Sequence, residues 1–366
     1  MNALIKFLKR PIASSLLAIA VGFAVAAVVL ASAGYDPGKS FAALFSGAFG
    51  KPKYVANVFI KATPILLTGV GVAFAFQTGL FNIGAEGQYI FGTILSTLVG
   101  VTCNFPAPIQ IPLVVLAGVV GGAALGAFIG FLKAKFGIHE VITSIMTNWI
   151  MLYLCNFVVM SDAFHKPNST SALPVNPSSF TTILHEWKMS DEGMAALGNI
   201  PWLREMMLKT DFNAGFFIAV LVAIGAGILL SRTKLGYELR AVGYNKDAAR
   251  FSGISVNRSI VLCMLISGAV CGLAGALNIT GIAPHTITLL AAQEGYGFNG
   301  ITVALIGNTN PFGVLLAGFF FGSLKFAGTR FGPPSEVVDI MMGCITFFIA
   351  VSSLLREIFT QKAKKG

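Results

Sequence analysis

The sequence predicts an all-α, polytopic integral membrane protein with about ten transmembrane helices. Hydrophobic residues make up 55% of the chain and charged residues 11%, and the mean hydropathy of +0.79 lies far from that of soluble domains. Apolar runs of about 20 residues, the length needed to cross a bilayer, recur along the chain. The basic residues are also unevenly distributed between the loops. We therefore expect one membrane domain over residues 1–366.

The first predicted span follows three basic residues, Lys6, Lys9 and Arg10, and could be taken for a secretory signal peptide. It is too long for one, and Ala31-Ser32-Ala33 is the only cleavage-like site. We expect an uncleaved span. The eighth predicted span, at 296–309, is too short for a full crossing, and we interpret it as a half-helix. The ten spans are predicted at 12–33, 58–79, 88–103, 111–132, 139–160, 213–231, 259–281, 296–309, 312–328 and 336–355.

Two polar segments separate these spans. Residues 161–212 form a loop with six acidic and four basic residues, which we expect outside the membrane, with one or two surface helices at 187–208. Residues 232–258 carry six basic and two acidic residues and no apolar run. The outer loop divides the chain into two halves at about 58–160 and 213–355, and internal repeats of this kind are typical of transporters.

The distribution of charge fixes the expected orientation. With ten spans and the N-terminus inside, the inner segments hold 15 of the 25 Lys and Arg residues and five of the 15 acids. The remaining ten basic and ten acidic residues balance. The whole net charge of +10 therefore falls on the inner side, as the positive-inside rule requires, and both termini are expected in the cytoplasm. This distribution argues against nucleic acid as a partner.

Residues 81–88 place Asn82, Glu86 and Gln88 between two long apolar runs. A carboxylate and two amides at membrane depth are costly unless they face protein or water, so such a group indicates a functional site. Non-helical backbone is tolerated there only where it lines a cavity or is buried in protein. We interpret the segment as a broken helix of a transport protein; the alternative is a polar turn at the membrane surface. Residues 294–300 repeat its Glu, Asn and Gly content in the second half.

Other polar side chains inside predicted spans are candidates to line a solute path: Asn148, Trp149, Asn156, Asn278 and Asn299. For each of them a hydrogen bond between helices is the alternative. Small residues recur every four positions in two spans, which favours close helix packing rather than a solute site. They are Gly118, Gly122, Gly126 and Gly130 in the fourth span, and Gly268, Gly272 and Ala276 in the seventh.

Residues 232–258, which we expect on the cytoplasmic side and call the inner loop, contain the pattern of a short capped helix. Asn245 is a good N-cap, Asp247 suits the first turn, and Gly253 can end the helix. Between them, Ala248 and Ala249 continue the helix and Arg250 and Phe251 are available to dock in a groove of a partner. The alternative is a basic loop anchored to anionic lipid.

Four stretches together resemble the permease family of bacterial ABC importers for branched-chain amino acids, ribose-type sugars and nucleosides, and most closely its nucleoside branch. The resemblance covers about residues 60–355. The stretches are F-N-I-G-A-E-G-Q at 81–88, T-K-L-G-Y-E-L-R-A-V-G-Y-N-K-D-A-A-R-F-S-G-I at 233–254, H-E-V-I at 139–142 with Asn148 eight residues after Glu140, and G-F-N-G-I-T-V-A-L at 297–305.

The resemblance implies a type II importer fold in a bacterial inner membrane. This chain would pair with a second permease, giving a heterodimer around the path of a small-molecule solute. It implies two further partners: an ATPase with two nucleotide-binding domains, docked on residues 245–253, and an extracytoplasmic lipoprotein that delivers the solute. The chain itself would bind membrane lipid but no cofactor, because ATP is used by the partner.

Other functions remain open at the level of the sequence. The solute could be a nucleoside, or riboflavin, a sugar or a branched-chain amino acid. A secondary transporter driven by an ion gradient is less favoured, because paired intramembrane acids for a proton relay are scarce. A membrane enzyme is least favoured: the five cysteines and four histidines have no metal-ligand or catalytic spacing, and the chain has no phosphate-binding loop sequence.

Overall fold

A computed structural model describes residues 11–328, 339–344, 347–348 and 351 of the chain. In these ranges the chain forms helices together with three isolated β-bridges, His165 with Ala172, Ser171 with Thr288 and Thr182 with Asn213. The helices, numbered along the chain, are α1 Pro11–Ser32, α2 Pro37–Phe49, α3 Pro52–Gln77, α4 Ala85–Thr102, α5 Ala107–Phe136, α6 Glu140–Met160, α7 Asp191–Gly198, α8 Pro201–Leu208, α9 Gly215–Arg232, α10 Lys234–Tyr244, α11 Lys246–Phe251, α12 Val256–Gly281, α13 Tyr296–Ile306 and α14 Pro311–Gly328.

The membrane character predicted from composition is confirmed. Among the described residues, six helices are long and apolar enough to cross a bilayer, namely α3, α5, α6, α9, α12 and α14. A seventh span is possible if α1 and α2, bent by 117° at residues 33–36, are counted together. The helix at the eighth predicted span, α13, has 11 residues, and so is too short to cross alone. The tenth predicted span and the basic residues near both termini fall largely outside the described residues.

Helix α2 was not expected from the apolar pattern. It has a start signal all the same, because Asp36 accepts a hydrogen bond from the Lys39 N–H at 3.1 Å and Pro37 occupies the first helical position. Of the one or two surface helices expected at 187–208, two are present, α7 and α8.

The chain divides into two compact units, one of residues 1–55 with 320–366 and one of residues 56–319. The second unit contains residues 81–88, residues 294–300 and the inner loop. The prediction of a single domain with two halves stays a prediction.

Helices α5 and α12 form the centre of this second unit through the two stripes of small residues. A Cβ atom at Gly122 would overlap the carbonyl oxygen of Gly268, and one at Gly118 would lie 2.8 Å from the Cβ of Ala276. The stripes therefore face each other with the backbones in direct contact, which confirms the predicted packing seam.

The inner loop is packed on the membrane helices rather than extended in solution. Leu239 and Val242 of α10 and Ala249 of α11 belong to one buried cluster with residues of α3, α5 and α12. Thr233 caps the N-terminus of α10, and its hydroxyl accepts a hydrogen bond from the Gly236 N–H at 3.0 Å. The burial of these apolar side chains fixes the position of α11 relative to the membrane helices.

Candidate functional site

Helix α13 begins without a cap from its own sequence. Gly295 precedes it in a left-handed conformation, with φ of +81°, and has no side chain to accept a hydrogen bond from the first N–H groups. Glu86 supplies both acceptors: its Oε1 accepts from the Gly295 N–H at 2.7 Å and its Oε2 from the Gly297 N–H at 2.6 Å. The side chain is fully buried. A carboxylate at this position is also favoured by the dipole of α13.

Helix α4, on which Glu86 lies, is capped from elsewhere in the same way. Gly84 at its N-terminus offers no side-chain acceptor. Asn148 of α6 accepts a hydrogen bond from the Gly87 N–H at 2.8 Å and donates one to the Ile83 carbonyl oxygen at 3.1 Å. Each of the two helix starts therefore depends on a side chain that is distant in sequence or belongs to another helix.

The remaining polar side chains of residues 81–88 close the non-helical turn before α4. Asn82 donates to Gln88 Oε1 at 2.8 Å, and Gln88 donates back to Asn82 Oδ1 at 3.2 Å. Asn82 also donates to the Ser267 hydroxyl at 2.7 Å, which in turn donates to the Gly71 carbonyl oxygen at 2.6 Å. These bonds join α3, α4 and α12 at the turn.

The two polar segments at residues 81–88 and 294–300 are in direct contact. A Cβ atom at Gly297 would lie 2.5 Å from the Glu86 Cα and 2.6 Å from the Ala85 carbonyl carbon, so α13 reaches α4 only because residue 297 is glycine. The rings of Tyr89 and Tyr296 also pack with centroids 5.0 Å apart. The N-termini of a long and a short helix thus meet around one carboxylate, an arrangement that discontinuous helices form in transporters.

The predicted path residues differ in their burial and in their partners. Asn82, Glu86, Gln88 and Asn148 are buried and engaged in the bonds described above. Trp149 is 45% exposed and stacks on Tyr153, which is 63% exposed. Asn278 and Asn299 are half-buried. Asn156 exchanges two hydrogen bonds with the backbone of Leu290 and so tethers a loop.

The short inner helix α11 has the predicted cap. Asn245 Oδ1 accepts from the Asp247 N–H at 2.9 Å and the Ala248 N–H at 3.0 Å. Gly253, with φ of +79°, follows the helix, and its N–H donates to the Arg250 carbonyl oxygen at 3.0 Å.

Only part of α11 is available to a partner. Phe251 is 94% exposed and Arg250 is exposed, as expected for docking residues. Ala249, which the sequence pattern grouped with them, is 3% exposed and packs against the membrane helices. Its part in any docking is to anchor the helix.

A close backbone contact connects Gly243 of the inner loop to the end of α3, which leads into residues 81–88. A Cβ atom at Gly243 would overlap the Gln77 carbonyl oxygen and lie 3.0 Å from the Thr78 carbonyl carbon. Gly79, with φ of +69°, faces the Gly243 backbone from the other side. Gly243, two residues before the Asn245 cap, therefore rests on the end of α3 at Gln77, four residues before Phe81.

An ion pair between α5 and α6 also contacts the segment at Phe81. Lys133 of α5 and Glu140 of α6 form a direct ion pair, and Glu140 also accepts a long hydrogen bond from the Phe81 N–H at 3.5 Å. From the sequence alone, Glu140 is recognised only as part of the resemblance. Three features of the site were not predicted: Ser267, Gly243 and the Lys133–Glu140 pair. The serine could have been found, because a serine in an otherwise apolar, glycine-rich span is a signal of an interhelix hydrogen bond.

Comparisons with known proteins agree with this architecture. The model of a family described as the branched-chain amino acid transport system permease component matches residues 54–350. The chain is 36% identical to the guanosine ABC transporter permease protein NupP of Bacillus subtilis, over 96% of each chain. It is 33% identical to the nucleoside ABC transporter permease protein NupB of Lactococcus lactis subsp. cremoris, over 97% of this chain and 94% of the relative.

The names of two more distant relatives give glucose and guanosine as the solutes. The glucose ABC transporter permease protein TsgB13 of Haloferax volcanii is 29% identical, over 95% of this chain and 88% of its own. A second guanosine permease protein of Bacillus subtilis, NupQ, is 25% identical over 85% of this chain and 94% of its own. No solved structure matches the chain at a significant level.

Proposed function

We propose that this chain, which belongs to the family of branched-chain amino acid transport system permease components, forms one half of an ATP-driven importer for nucleosides. The chain is an integral membrane permease subunit of an ABC transporter. The nucleoside substrate is proposed from the two relatives above 30% identity, whose names give guanosine and nucleosides. The proposed location is a bacterial inner membrane with both termini in the cytoplasm, as the charge distribution predicts.

The single structural observation that carries the proposal is the geometry of α11. Its buried Ala249 fixes the helix on the membrane helices, whereas Phe251 and Arg250 project from it. An aromatic side chain that is 94% exposed at the end of a capped helix is suited to enter a groove of a partner. We assign that groove to an ATPase with two nucleotide-binding domains. ATP is then used by the partner, and this chain needs no cofactor of its own.

The second proposed partner is a different permease. Bacillus subtilis has two guanosine permease proteins that match this chain, NupP at 36% and NupQ at 25% identity. The difference in identity supports a role as the NupP-type half of a heterodimer. A solute-binding lipoprotein outside the membrane completes the proposed importer.

The exposed aromatic pair on α6 is the proposed contact for a nucleobase. Trp149 and Tyr153 lie one turn apart with ring centroids at 6.1 Å, and Trp149 directly follows Asn148, the residue that caps α4. An aromatic face stacks a planar base, and amide side chains such as that of Asn299 can pair with its edge.

The proposal is tested by uptake in cells. Deletion of the gene should abolish uptake of radiolabelled guanosine and uridine, and the intact gene should restore it. Riboflavin, glucose and leucine, measured in parallel, cover the other solutes considered for this family. Restoration of leucine uptake but not of nucleoside uptake would contradict the proposal.

A further inference from the structure

A cleft of about 520 Å³ lies between the last turns of α5 and the first turns of α12. The charge distribution predicts this end of both helices on the cytoplasmic side. The volume falls within the range of about 300–1,000 Å³ that is usual for small-molecule sites. Neither Glu86 and its partners nor the residues of α11 line the cleft, so it is a separate feature of the molecule.

Two basic side chains line the cleft. Lys135 belongs to the last turn of α5 and Arg258 to the first turn of α12, and both are exposed. In the part of the chain that the structure describes, neither forms an ion pair, whereas Lys133, two residues before Lys135, pairs with Glu140. No acidic side chain of the described residues lines the cleft, so its charge is complementary to that of an anion.

Aromatic rings position the Lys135 ammonium group. Its Nζ lies 5.3 Å from the ring centroid of Phe131 and 5.5 Å from that of Phe136. These contacts hold the charge at the cleft but supply no negatively charged hydrogen-bond acceptor. Across the cleft, the guanidinium group of Arg258 can donate two parallel hydrogen bonds to a phosphate, and Asn257 adds an amide NH₂ donor.

The remaining wall of the cleft is apolar and continues along one face of α5. Phe131, Ala134, Val261 and Leu262 form this wall. Helix α5 is long and apolar enough to cross a bilayer, and its exposed residues recur at helical spacing up to Lys135. They are Leu116, Val120, Ala124, Phe128 and Phe131. A hydrocarbon chain that followed this stripe would therefore place a polar group at its end beside the two cations.

We propose that this cleft binds an anionic phospholipid of the cytoplasmic leaflet. Lys135 and Arg258 donate to the phosphate oxygens, and the start of one acyl chain packs against Phe131 and Val261. Basic pockets between membrane helices on the cytoplasmic side bind such headgroups in other proteins. Cations at one end of an apolar stripe match the amphipathic shape of a lipid. The bound lipid would link the ends of α5 and α12, and with Arg258 the end of the inner loop, to the membrane.

The test titrates the full chain, purified in a neutral detergent, with dioleoyl-phosphatidylglycerol or dioleoyl-phosphatidylcholine and counts bound lipid by native mass spectrometry. The wild type should bind the anionic lipid more tightly. Lys135→Gln and Arg258→Gln should each weaken its binding about fivefold, and the double variant about 25-fold, because each removes one cation near the headgroup. Arg258→Lys keeps the charge and should keep most of the affinity. Arg232→Gln removes an exposed cation of the same predicted side that does not line the cleft, and is the matched control.

Equal binding of the two lipids by the wild type would overturn the proposal, as would unchanged binding in the double variant or an equal loss in Arg232→Gln. The thermal midpoint in detergent without added lipid verifies that each variant is folded. Displacement of the lipid by an excess of inorganic phosphate would identify a site for soluble anions and overturn the lipid assignment. The titration is repeated on the importer assembled with its partner permease and ATPase. Loss of the tight lipid there would assign the cleft to a protein interface instead, and retention of it supports the proposal.

Discussion

Glu86 accepts a hydrogen bond from the backbone N–H of Gly297, 211 residues further along the chain, at 2.6 Å. With the Gly295 bond, this contact fixes the N-terminus of α13 on the first turn of α4. The buried charge is therefore balanced by the N–H groups that a helix start leaves unpaired. The contact between Glu86 and Gly297 joins residues 81–88 to residues 294–300.

Glu86→Gln should reduce stability without preventing insertion. Glutamine has one acceptor oxygen, so one of the two glycine N–H groups would face an NH₂ group, and an unsatisfied buried donor costs about 1–3 kcal/mol. A lower thermal midpoint of the purified permease and impaired uptake are expected. Glu86→Leu, which leaves both N–H groups unpaired, should reduce the yield from membranes. Glu192→Gln, at an exposed position of α7, is the control. A Glu86→Leu protein with normal yield and uptake would show that the contact is dispensable.

Gly297→Ala tests the close approach of the two helices. The added methyl group would meet the Ala85 and Glu86 backbone at 2.5–2.6 Å, which the backbone cannot absorb without separating α13 from α4. We expect loss of uptake and a lower thermal midpoint. Gly225→Ala on α9 is the matched control, because nothing lies within 4 Å of its added Cβ. Equal uptake and equal thermal midpoints in the two variants would contradict the close contact between α13 and α4.

Phe251→Ala and Arg250→Glu should uncouple transport from ATP hydrolysis. Both side chains are exposed, so the permease should keep its yield and thermal midpoint. Substrate-stimulated ATPase activity of the assembled importer should fall to the unstimulated level. Lys234→Glu reverses an exposed charge on the preceding helix and should leave stimulation intact. Normal stimulation in both α11 variants would remove the helix from the coupling mechanism.

The Asn245 cap gives a graded version of the same test. Asn245→Ala should destabilise α11 by about 1 kcal/mol and weaken stimulation, whereas Asn245→Asp retains an acceptor oxygen and should behave as wild type. ATPase stimulation against solute concentration measures both. Equal values for alanine and aspartate would show that the cap does not position the helix.

Gly243→Ala addresses the contact between the ends of α10 and α3. The new methyl group would press on the Gln77 carbonyl oxygen, displacing the segment that leads to Phe81. Because this contact lies between α11 and the Glu86 region, transport should fall more than basal ATPase activity does. Parallel loss of both activities, with reduced yield, would indicate a folding defect instead.

Much of this architecture follows from the sequence because apolar length and small-residue spacing act locally. The seam of Gly118 to Gly130 against Gly268 to Ala276 was predictable, since only small residues permit that backbone distance. The partner of Glu86 was not, because nothing in local sequence states which helix start a carboxylate will cap. Helix α2 was not predicted for a different reason: its 13 residues are too few to cross a bilayer, although Asp36 and Pro37 mark its start.

Topology can be measured with single cysteines in a cysteine-free background. Trp202→Cys on α8 should react with an impermeant maleimide added outside the cell, and Phe251→Cys only after permeabilisation, because the charge distribution predicts that the basic loops face the cytoplasm. Both native side chains are exposed. Labelling of Phe251→Cys in intact cells would reverse the orientation and exclude contact with a cytoplasmic ATPase.

The central claim is that this chain transports nucleosides only as part of an ATP-driven assembly. The most direct measurement is uptake of radiolabelled guanosine into proteoliposomes with or without ATP at the ATPase side, with the ion gradients collapsed. We expect uptake that requires ATP, the partner permease, the ATPase and the binding lipoprotein together. Guanosine uptake by this chain alone, driven by an ion gradient and indifferent to ATP, would contradict it.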